Sequence, residues 1–129
     1  MRFMVMGKRW TLVWVAKGAS FVARRVGGKE QRMSKTDDGM TEAPWFKNKR
    51  VFLRHGLRGK RRLETAIHEF THAADWSKDE EWVSHFGRDL ANFLYTLGVR
   101  FTEESDIGLK DKPAKPGPGK PGKPDTLEG

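Results

Sequence analysis

The sequence predicts a small α+β domain in which a three-stranded, mainly antiparallel sheet packs against two helices. Two short runs rich in apolar and β-branched residues flank Gly7 and Lys8 near the start of the chain, and a third run lies near residue 50, which is typical of strands. Two later segments repeat their apolar residues at helical spacing. The chain has 129 residues, of which 36% are hydrophobic and none is cysteine, so we expect one core and no disulfides.

The first two strands are predicted to form a hairpin over residues 3–6 and 9–15. They flank Gly7 and Lys8, and glycine at the first central position favours a type II′ turn. The second strand alternates two sets of side chains, Trp10, Leu12 and Trp14 in one set and Thr11, Val13 and Val15 in the other. The two sets should therefore lie on opposite faces of the sheet, because successive side chains of a strand point to opposite sides.

The region between the hairpin and the first helix is predicted to hold a loop and the third strand. Residues 26–44 contain a glycine pair, an aspartate pair and few apolar residues, so we expect a loop that forms a rim or lid. The strand covers residues 50–54, where Val51 and Leu53 face one way and Phe52 the other. Gly56 and Gly59 then end the strand pattern.

Two helices are predicted after the third strand. Apolar residues of the first recur at helical spacing, at Leu63, Ala66, Ile67, Phe70, Ala73 and Ala74, and the pattern fades from Asp75. The second helix has Asp79 as its expected N-cap and Gly98 as its stop. Its apolar residues should face the core, namely Val83, Phe86, Leu90, Phe93, Leu94 and Leu97.

The first helix contains the pattern His-Glu-x-x-His, formed by His68, Glu69 and His72. Residues four apart share one helical face, so both imidazoles can bind a single Zn²⁺ ion. Glu69 would point beside the metal, where it can take a proton from a zinc-bound water. The alternative is a pair of half-buried histidines that are hydrogen-bonded to neighbours, but the helical context and the uncharged flanking residues favour zinc.

A catalytic zinc site usually has three protein ligands and a water, so the second helix should supply one more ligand. The candidates are Glu80, Glu81 and His85. At about 100° per residue, Glu80 lies in line with small residues that would allow close helix approach. Those small residues are Ser84, Gly87 and Ala91. Glu80 is therefore the preferred ligand, followed by Glu81 and His85. The alternative is that these carboxylates bind no metal, because the helix dipole alone favours negative charge in a first turn.

The stretch from residue 50 to residue 100 resembles a minimal zincin. It is similar to the SprT-like and ImmA/IrrE-like metallopeptidases and to short phage-encoded proteins of that type. A strand leads into Leu-Glu-Thr-Ala-Ile-His-Glu-Phe-Thr-His-Ala, and a short turn leads to a second helix that opens with Asp79 and Glu80. In ImmA-like proteins the glutamate sits in a second helix, as Glu80 does. In SprT-like proteins the third ligand resembles a His followed by Gly, whereas His85 is followed by Phe86.

The resemblance implies a zinc-dependent metallopeptidase that hydrolyses peptide bonds in a peptide or protein substrate, with Glu69 as the base. In zincins the strand before the helix borders the cleft, which suggests substrate binding by strand addition. The substrate-binding residues would then be Arg50, Val51, Phe52, Leu53 and Arg54. No residue emerges as the oxyanion stabiliser, although His55, His85 and Tyr95 are chemically able.

A basic segment supports a competing interpretation. Eight basic residues and no acidic one lie between Lys47 and Arg62, close to Trp45, Phe46 and Phe52, in a chain of net charge +8. Such a segment can bind nucleic acid without sequence preference, or it can be a solvated rim. The alternative functions are therefore a catalytically silent, zinc-stabilised module that binds nucleic acid or protein, and a virion or structural component that retains the motif.

The end of the chain has a different composition. From Lys110 it is rich in proline, glycine and lysine, so we expect a folded domain over residues 1–108 and a disordered tail over residues 109–129. No run approaches the roughly 18 to 20 apolar residues that cross a bilayer. We therefore expect a cytoplasmic protein that makes no membrane contact.

Overall fold

The computed structural model describes residues 1–25 and 29–101. Within these residues the elements are β1 (Arg2–Val5), β2 (Lys8–Val15), β3 (Val22–Arg24), β4 (Glu30–Arg32), β5 (Gly39–Thr41), β6 (Lys49–Arg54), α1 (Gly59–Ala74) and α2 (Glu80–Leu97). The chain is thus a small mixed α+β unit. Residues 102–108 of the predicted domain and the predicted tail, 109–129, lie outside the described part of the chain.

The main sheet has four strands in the order β1-β2-β6-β5, so the prediction of three strands is wrong. The two outer pairs are antiparallel and the central pair, β2 with β6, is parallel. The additional strand, β5, comes from the segment that was predicted to be a loop. That segment also contains β4, which pairs with β3 in a separate two-stranded sheet. These strands were missed because each has three residues and shows no apolar alternation.

The two faces of the sheet carry different cores, as the alternation in β2 predicts. Trp10 and Trp14 pack on one face with residues of β6 and with Ala73 of α1. Val13 and Val15 pack on the other face with Phe52 and with residues of the β3-β4 region. Because Leu12 is opposite Val51 and Trp14 is opposite Leu53, the parallel pairing keeps these four side chains together on the helix side.

The N-terminal hairpin turns one residue earlier than predicted. β1 ends at Val5 and β2 begins at Lys8, so Met6 and Gly7 are the central residues of the turn. Their φ angles are 50° and 79°. Positive φ at both central positions is the pattern of a type I′ turn, which matches the right-handed twist of the strands, and the predicted type II′ turn at Gly7 and Lys8 is wrong.

A buried carboxylate joins β3, β6 and the end of β5. The Glu42 side chain is fully buried and accepts hydrogen bonds of 2.7 to 3.0 Å from the guanidinium groups of Arg24 and Arg50. Burial alone would raise the pKa of Glu42, but the hydrogen bonds from Arg50 and Arg24 outweigh it and lower that pKa. This ion cluster holds the residue next to Thr41 in place, and Thr41 faces α1.

The helix ends follow local sequence signals. The Asp79 side chain accepts a hydrogen bond of 2.8 Å from the Trp82 backbone N–H, so Asp79 is the N-cap of α2, as predicted. α2 stops at Gly98, whose φ of 101° is a left-handed conformation that favours glycine. Neither described helix is both long and apolar enough to span a membrane.

The two helices meet through small residues, and this contact exposes the larger ones. Val83, Gly87 and Ala91 are the buried positions of α2, and a Cβ on Gly87 would lie 3.6 Å from the His68 Cα. The prediction that the whole apolar stripe of α2 faces the core is wrong, because Phe86, Phe93 and Leu97 are exposed. Because the helices approach each other at the small residues, these larger side chains lie outside the contact.

Candidate metal centre

His68, His72 and Glu80 come together where α1 ends and α2 begins. The two histidine Nε2 atoms are 3.2 Å apart. The Glu80 carboxylate lies across both rings, with Oε2 2.9 Å from Nε2 of His68 and Oε1 3.0 Å from Nε2 of His72. These three residues form a cluster that could hold a metal ion.

The turn between the two helices explains why Glu80 lies close to the two histidines. The connection between the helices is short, and the Asp75 carboxylate accepts hydrogen bonds from the backbone N–H and the hydroxyl of Ser77. This turn reverses the chain within five residues, and Asp79 then caps α2. As a result, the first residue of α2 faces the last turn of α1.

The two imidazole nitrogens are close enough to share one metal ion. Two nitrogen ligands that each lie about 2.0 to 2.1 Å from a tetrahedral ion are roughly 3.3 Å from each other, and the two Nε2 atoms are 3.2 Å apart. Glu80 places one carboxylate oxygen near each of them. Burial, and then the neighbouring His68, lower the pKa of His72, which favours the neutral imidazole that binds metals. With three protein ligands, one tetrahedral position would stay open for water or substrate.

Glu81 and His85 are not part of this cluster. Their side chains face each other along α2, with a carboxylate oxygen 4.0 Å from His85 Nε2. His85 Nδ1 also lies 3.1 Å from the Arg88 guanidinium. The structure therefore brings together His68, His72 and Glu80, and it leaves the two other candidate ligands on the solvent side of α2.

Glu69 is buried beside the cluster, on the side of the sheet edge. The Thr41 hydroxyl lies 2.7 Å from Glu69 Oε1, where it can donate a hydrogen bond. Burial raises the pKa of Glu69 to about 7, the Thr41 hydrogen bond opposes this rise, and the Glu80 charge adds to it. The side chain lines a cavity of about 230 Å³ that His68 and His72 also line.

Two residues of β5 shape the environment of Glu69, and sequence reasoning missed both. Thr41 supplies the hydroxyl described above. Gly39 leaves room for the carboxylate, because a Cβ at this position would lie 2.9 Å from Glu69 Cγ and 3.0 Å from the Phe52 carbonyl oxygen. The sequence carries no clear signal for either role, since the pairing of β5 with β6 is what brings them to α1.

Arg25 is a cationic residue of the cavity lining and packs against Trp76. It donates a hydrogen bond of 3.0 Å from Nη1 to the Thr41 carbonyl oxygen, and its guanidinium lies over the Trp76 ring at 5.0 Å. Trp76 in turn contacts His72, with ring centroids 6.3 Å apart, and Trp45, at 6.0 Å. Arg25 therefore brings a positive charge to the same cavity as Glu69 and the metal cluster.

The residues considered as oxyanion stabilisers lie elsewhere. His55 packs edge-on against Trp14 after the end of β6. The Tyr95 hydroxyl is near Gly59 at the opposite end of α1 from His72. With His85 on the outer side of α2, none of the three residues lines the cavity, whereas Arg25 does.

The predicted substrate-binding strand cannot accept an added strand. Residues 50–54 belong to β6, which pairs with β2 on one side and with β5 on the other. Val51, Phe52, Leu53 and Arg54 are buried, and Arg50 holds Glu42. The prediction took the strand before the helix to border the cleft, as the resemblance to zincins implies, but here β5 forms the sheet edge beside the cavity.

The basic segment does not form one continuous surface. Three of its eight basic side chains make contacts within the fold. Arg50 donates a hydrogen bond to Glu42, and Arg62 packs over the Trp14 ring. Arg54 donates hydrogen bonds to the backbone carbonyls of Ala16, Ala19, Ser34 and Asp37. Most of the others lie at the two ends of β6, and six strand residues span about 20 Å. Arg50, Arg54 and Arg62 are therefore engaged within the fold, and nucleic-acid contact through the segment from Lys47 to Arg62 stays a prediction.

Comparison of the chain with protein-family models, with curated proteins and with solved structures finds no significant match. The chemistry of the site is therefore inferred from its own residues.

Proposed function

We propose that this protein is a zinc-dependent metallopeptidase, with His68, His72 and Glu80 as the ligands and Glu69 as the general base. The observation that supports this most directly is the convergence of two imidazole nitrogens and the Glu80 carboxylate beside a second, buried carboxylate, that of Glu69. When bound, zinc would act as a Lewis acid that polarises a carbonyl and lowers the pKa of water toward about 7.

Glu69 takes the proton in this mechanism. Its carboxylate is shielded from solvent, is held by Thr41 and lines the same cavity as the ligands, so it can accept a proton from water and return it to the leaving amine. A base with a pKa near neutrality is suited to both transfers. The edge strand β5 offers backbone groups along the cavity, where an extended peptide could pair with it.

Arg25 stabilises the negative charge that develops on the substrate carbonyl. The Arg25 guanidinium has five N–H donors. Within the described part of the chain, its side chain donates one hydrogen bond, to the Thr41 carbonyl oxygen. A donor aimed at a developing oxyanion in a partly enclosed site commonly contributes about 10² to 10³ in rate. Trp76 holds the guanidinium plane in place by a cation–π contact.

Replacing Arg25 by alanine should lower kcat about 100-fold and leave KM nearly unchanged, because the charge acts on the transition state. Lysine at this position should recover part of the loss. Steady-state kinetics on a fluorogenic peptide would measure both values, and Arg32→Ala, on the exposed strand β4, is the control. A rise in KM with normal kcat would instead identify Arg25 as a substrate-binding residue.

Replacing Gly39 by alanine should lower kcat/KM by roughly 100-fold while zinc stays bound, because a misplacement of about 1 Å can have this effect. The new Cβ would collide with the Glu69 side chain and with the Phe52 carbonyl oxygen, which the sheet holds in place. Gly87→Ala is the matched control, since its Cβ would make ordinary contacts of 3.5 to 3.6 Å with α1. Equal activity of both variants would contradict the role assigned to Gly39.

The overall proposal is tested with the purified full chain, zinc analysis and a protease assay on an unfolded protein. We expect one zinc per chain, hydrolysis that a chelator removes, and recovery when zinc is added back. Stoichiometric zinc without hydrolysis of unfolded proteins or of a peptide library would favour the silent, zinc-stabilised module. Absence of zinc binding would contradict both functions.

A further inference from the structure

α2 carries a row of large apolar side chains beside its contact with α1, and most of them are exposed. The row, called here the α2 stripe, consists of Trp82, Phe86, Leu90, Phe93 and Leu97. At 100° per residue these positions fall within an arc of about 80°, centred roughly 100° from the buried residues Val83, Gly87 and Ala91. Four members of the stripe are 41 to 64% exposed, and Leu90 is half-buried.

The first half of the stripe borders a groove between the two helices. Trp82, Phe86 and Leu90 line one wall, and Ile67 and Phe70 of α1 line the other, around a volume of about 590 Å³. Phe70 is itself 46% exposed. The second half of the stripe, Phe93 and Leu97, continues beyond the groove as a ridge along the same helix.

The exposed apolar area matches what a homodimer requires. A large apolar side chain exposes up to about 200 Å², so the stripe and Phe70 together present roughly 500 Å². This is at the upper end of the largest patch on a typical monomer, about 300 to 600 Å². A standard interface buries about 800 Å² per partner, and about 65% of a homodimer interface is apolar, which is again close to 500 Å².

The order of side chains along the stripe is self-complementary. Phe86 and Phe93 are equidistant from the midpoint between residues 89 and 90, and so are Trp82 and Leu97. A two-fold axis through that midpoint, perpendicular to two antiparallel α2 helices, therefore sets the ridge of one copy into the groove of the other. Closed two-fold symmetry of this kind buries the same patch on both subunits.

We propose that the α2 stripe is the interface of a symmetric homodimer in which two α2 helices pack antiparallel. Phe93 and Leu97 of each copy enter the groove beside Phe86 and Trp82 of the other. The metal cluster lies on the opposite flank of α2, toward the sheet edge, so both sites stay open in the dimer. The proposal does not depend on zinc binding or on hydrolysis.

Light scattering of the full chain after size exclusion tests this proposal. Interfaces of this size range from micromolar to picomolar, so loading should cover about 1 to 100 μM. We expect the mass of a dimer for the unmodified chain and for Asn92→Glu, and the mass of a monomer for Phe93→Glu. Both variants change the charge by one unit at exposed positions of α2, and Asn92 lies about 100° from Phe93 around the helix.

A disulfide test reports the geometry of the contact. The chain has no cysteine, so Leu90→Cys introduces a single thiol close to the proposed axis. Two residues that flank such an axis have Cα atoms within the roughly 4.4 to 6.8 Å that a disulfide needs. Mild oxidation should give a covalent dimer for Leu90→Cys and none for Asn92→Cys.

Three outcomes would overturn the proposal. A monomeric unmodified chain at about 100 μM would leave the stripe to a different partner. A dimer that persists in Phe93→Glu would locate the interface elsewhere. A dimer that Phe93→Glu disrupts, but in which Leu90→Cys does not cross-link, would contradict the antiparallel arrangement. These experiments measure mass and cross-linking, and they do not depend on zinc binding or hydrolysis. Failure of the dimer proposal can therefore be told apart from failure of the proposed function.

Discussion

Replacing Glu69 by glutamine should remove nearly all of the proposed hydrolysis and leave zinc binding unchanged. Glutamine has nearly the same shape and can still accept the hydrogen bond from Thr41, but it cannot take a proton at that position. Loss of a general base typically costs about 10² to 10⁴ in rate, so we expect kcat to fall roughly 1,000-fold. Zinc content should not change, because the three ligand atoms belong to other residues. Both quantities can be measured on one preparation.

The control for this variant is Glu64→Gln, which makes the same chemical change on the same helix outside the metal cluster. It should hydrolyse substrate at the rate of the unmodified protein. If Glu69→Gln bound zinc and hydrolysed peptides normally, the proton would be taken by another group and the proposed mechanism would be wrong. If Glu69→Gln lost its zinc, the carboxylate would have a role in metal binding instead.

Replacing Glu80 by alanine should weaken zinc binding at least about 100-fold, and replacing Glu81 should leave it unchanged. Even outer-shell partners of a metal site contribute about 10- to 100-fold to affinity, and Glu80 is a direct ligand candidate in contact with both imidazoles. Glu81 has the same charge and is the next residue in the chain, but it faces His85. This pair therefore separates coordination from the general effect of a negative charge at the start of α2.

Zinc-induced thermal stabilisation gives a direct measurement of this difference. A ligand present at 100 times its Kd stabilises the folded protein by about 2.7 kcal/mol, which raises Tm by several degrees in a domain of this size. The unmodified protein and Glu81→Ala should show the full rise, and Glu80→Ala should show little at the same zinc concentration. Equal loss in both glutamate variants would mean that Glu80 is not a specific ligand.

Much of the candidate site could be predicted from the sequence, because the positions of its ligands depend on local helix geometry. His68 and His72 lie four residues apart on one helix, so any α-helix there brings their rings together. The preference for Glu80 over Glu81 follows from the same periodicity, combined with the small residues through which the helices approach each other. Arg25, Gly39 and Thr41 were not predicted, because they reach the site from distant strands that have no pattern of their own.

The errors in the predicted fold have a common cause. β5 has three residues, and its place in the sheet follows from pairing with β6 and from the ion cluster at Glu42, not from its own strand propensity. The resemblance to zincins placed residues 50–54 beside the cleft, whereas in this sheet β5 lies between β6 and the edge. The basic segment also appeared continuous, although Arg54 and Arg62 are buried.

The sequence by itself determined the two helices, the caps of α2 and the pairing of the two imidazoles, because these features arise from residues within one or two helical turns of each other. Only the tertiary structure decided which residues enclose Glu69, which strand forms the edge of the cavity and which face of α2 remains exposed. Those outcomes depend on which apolar surfaces are buried against each other and on how closely two helices can approach, and both are set by contacts between residues far apart in the chain.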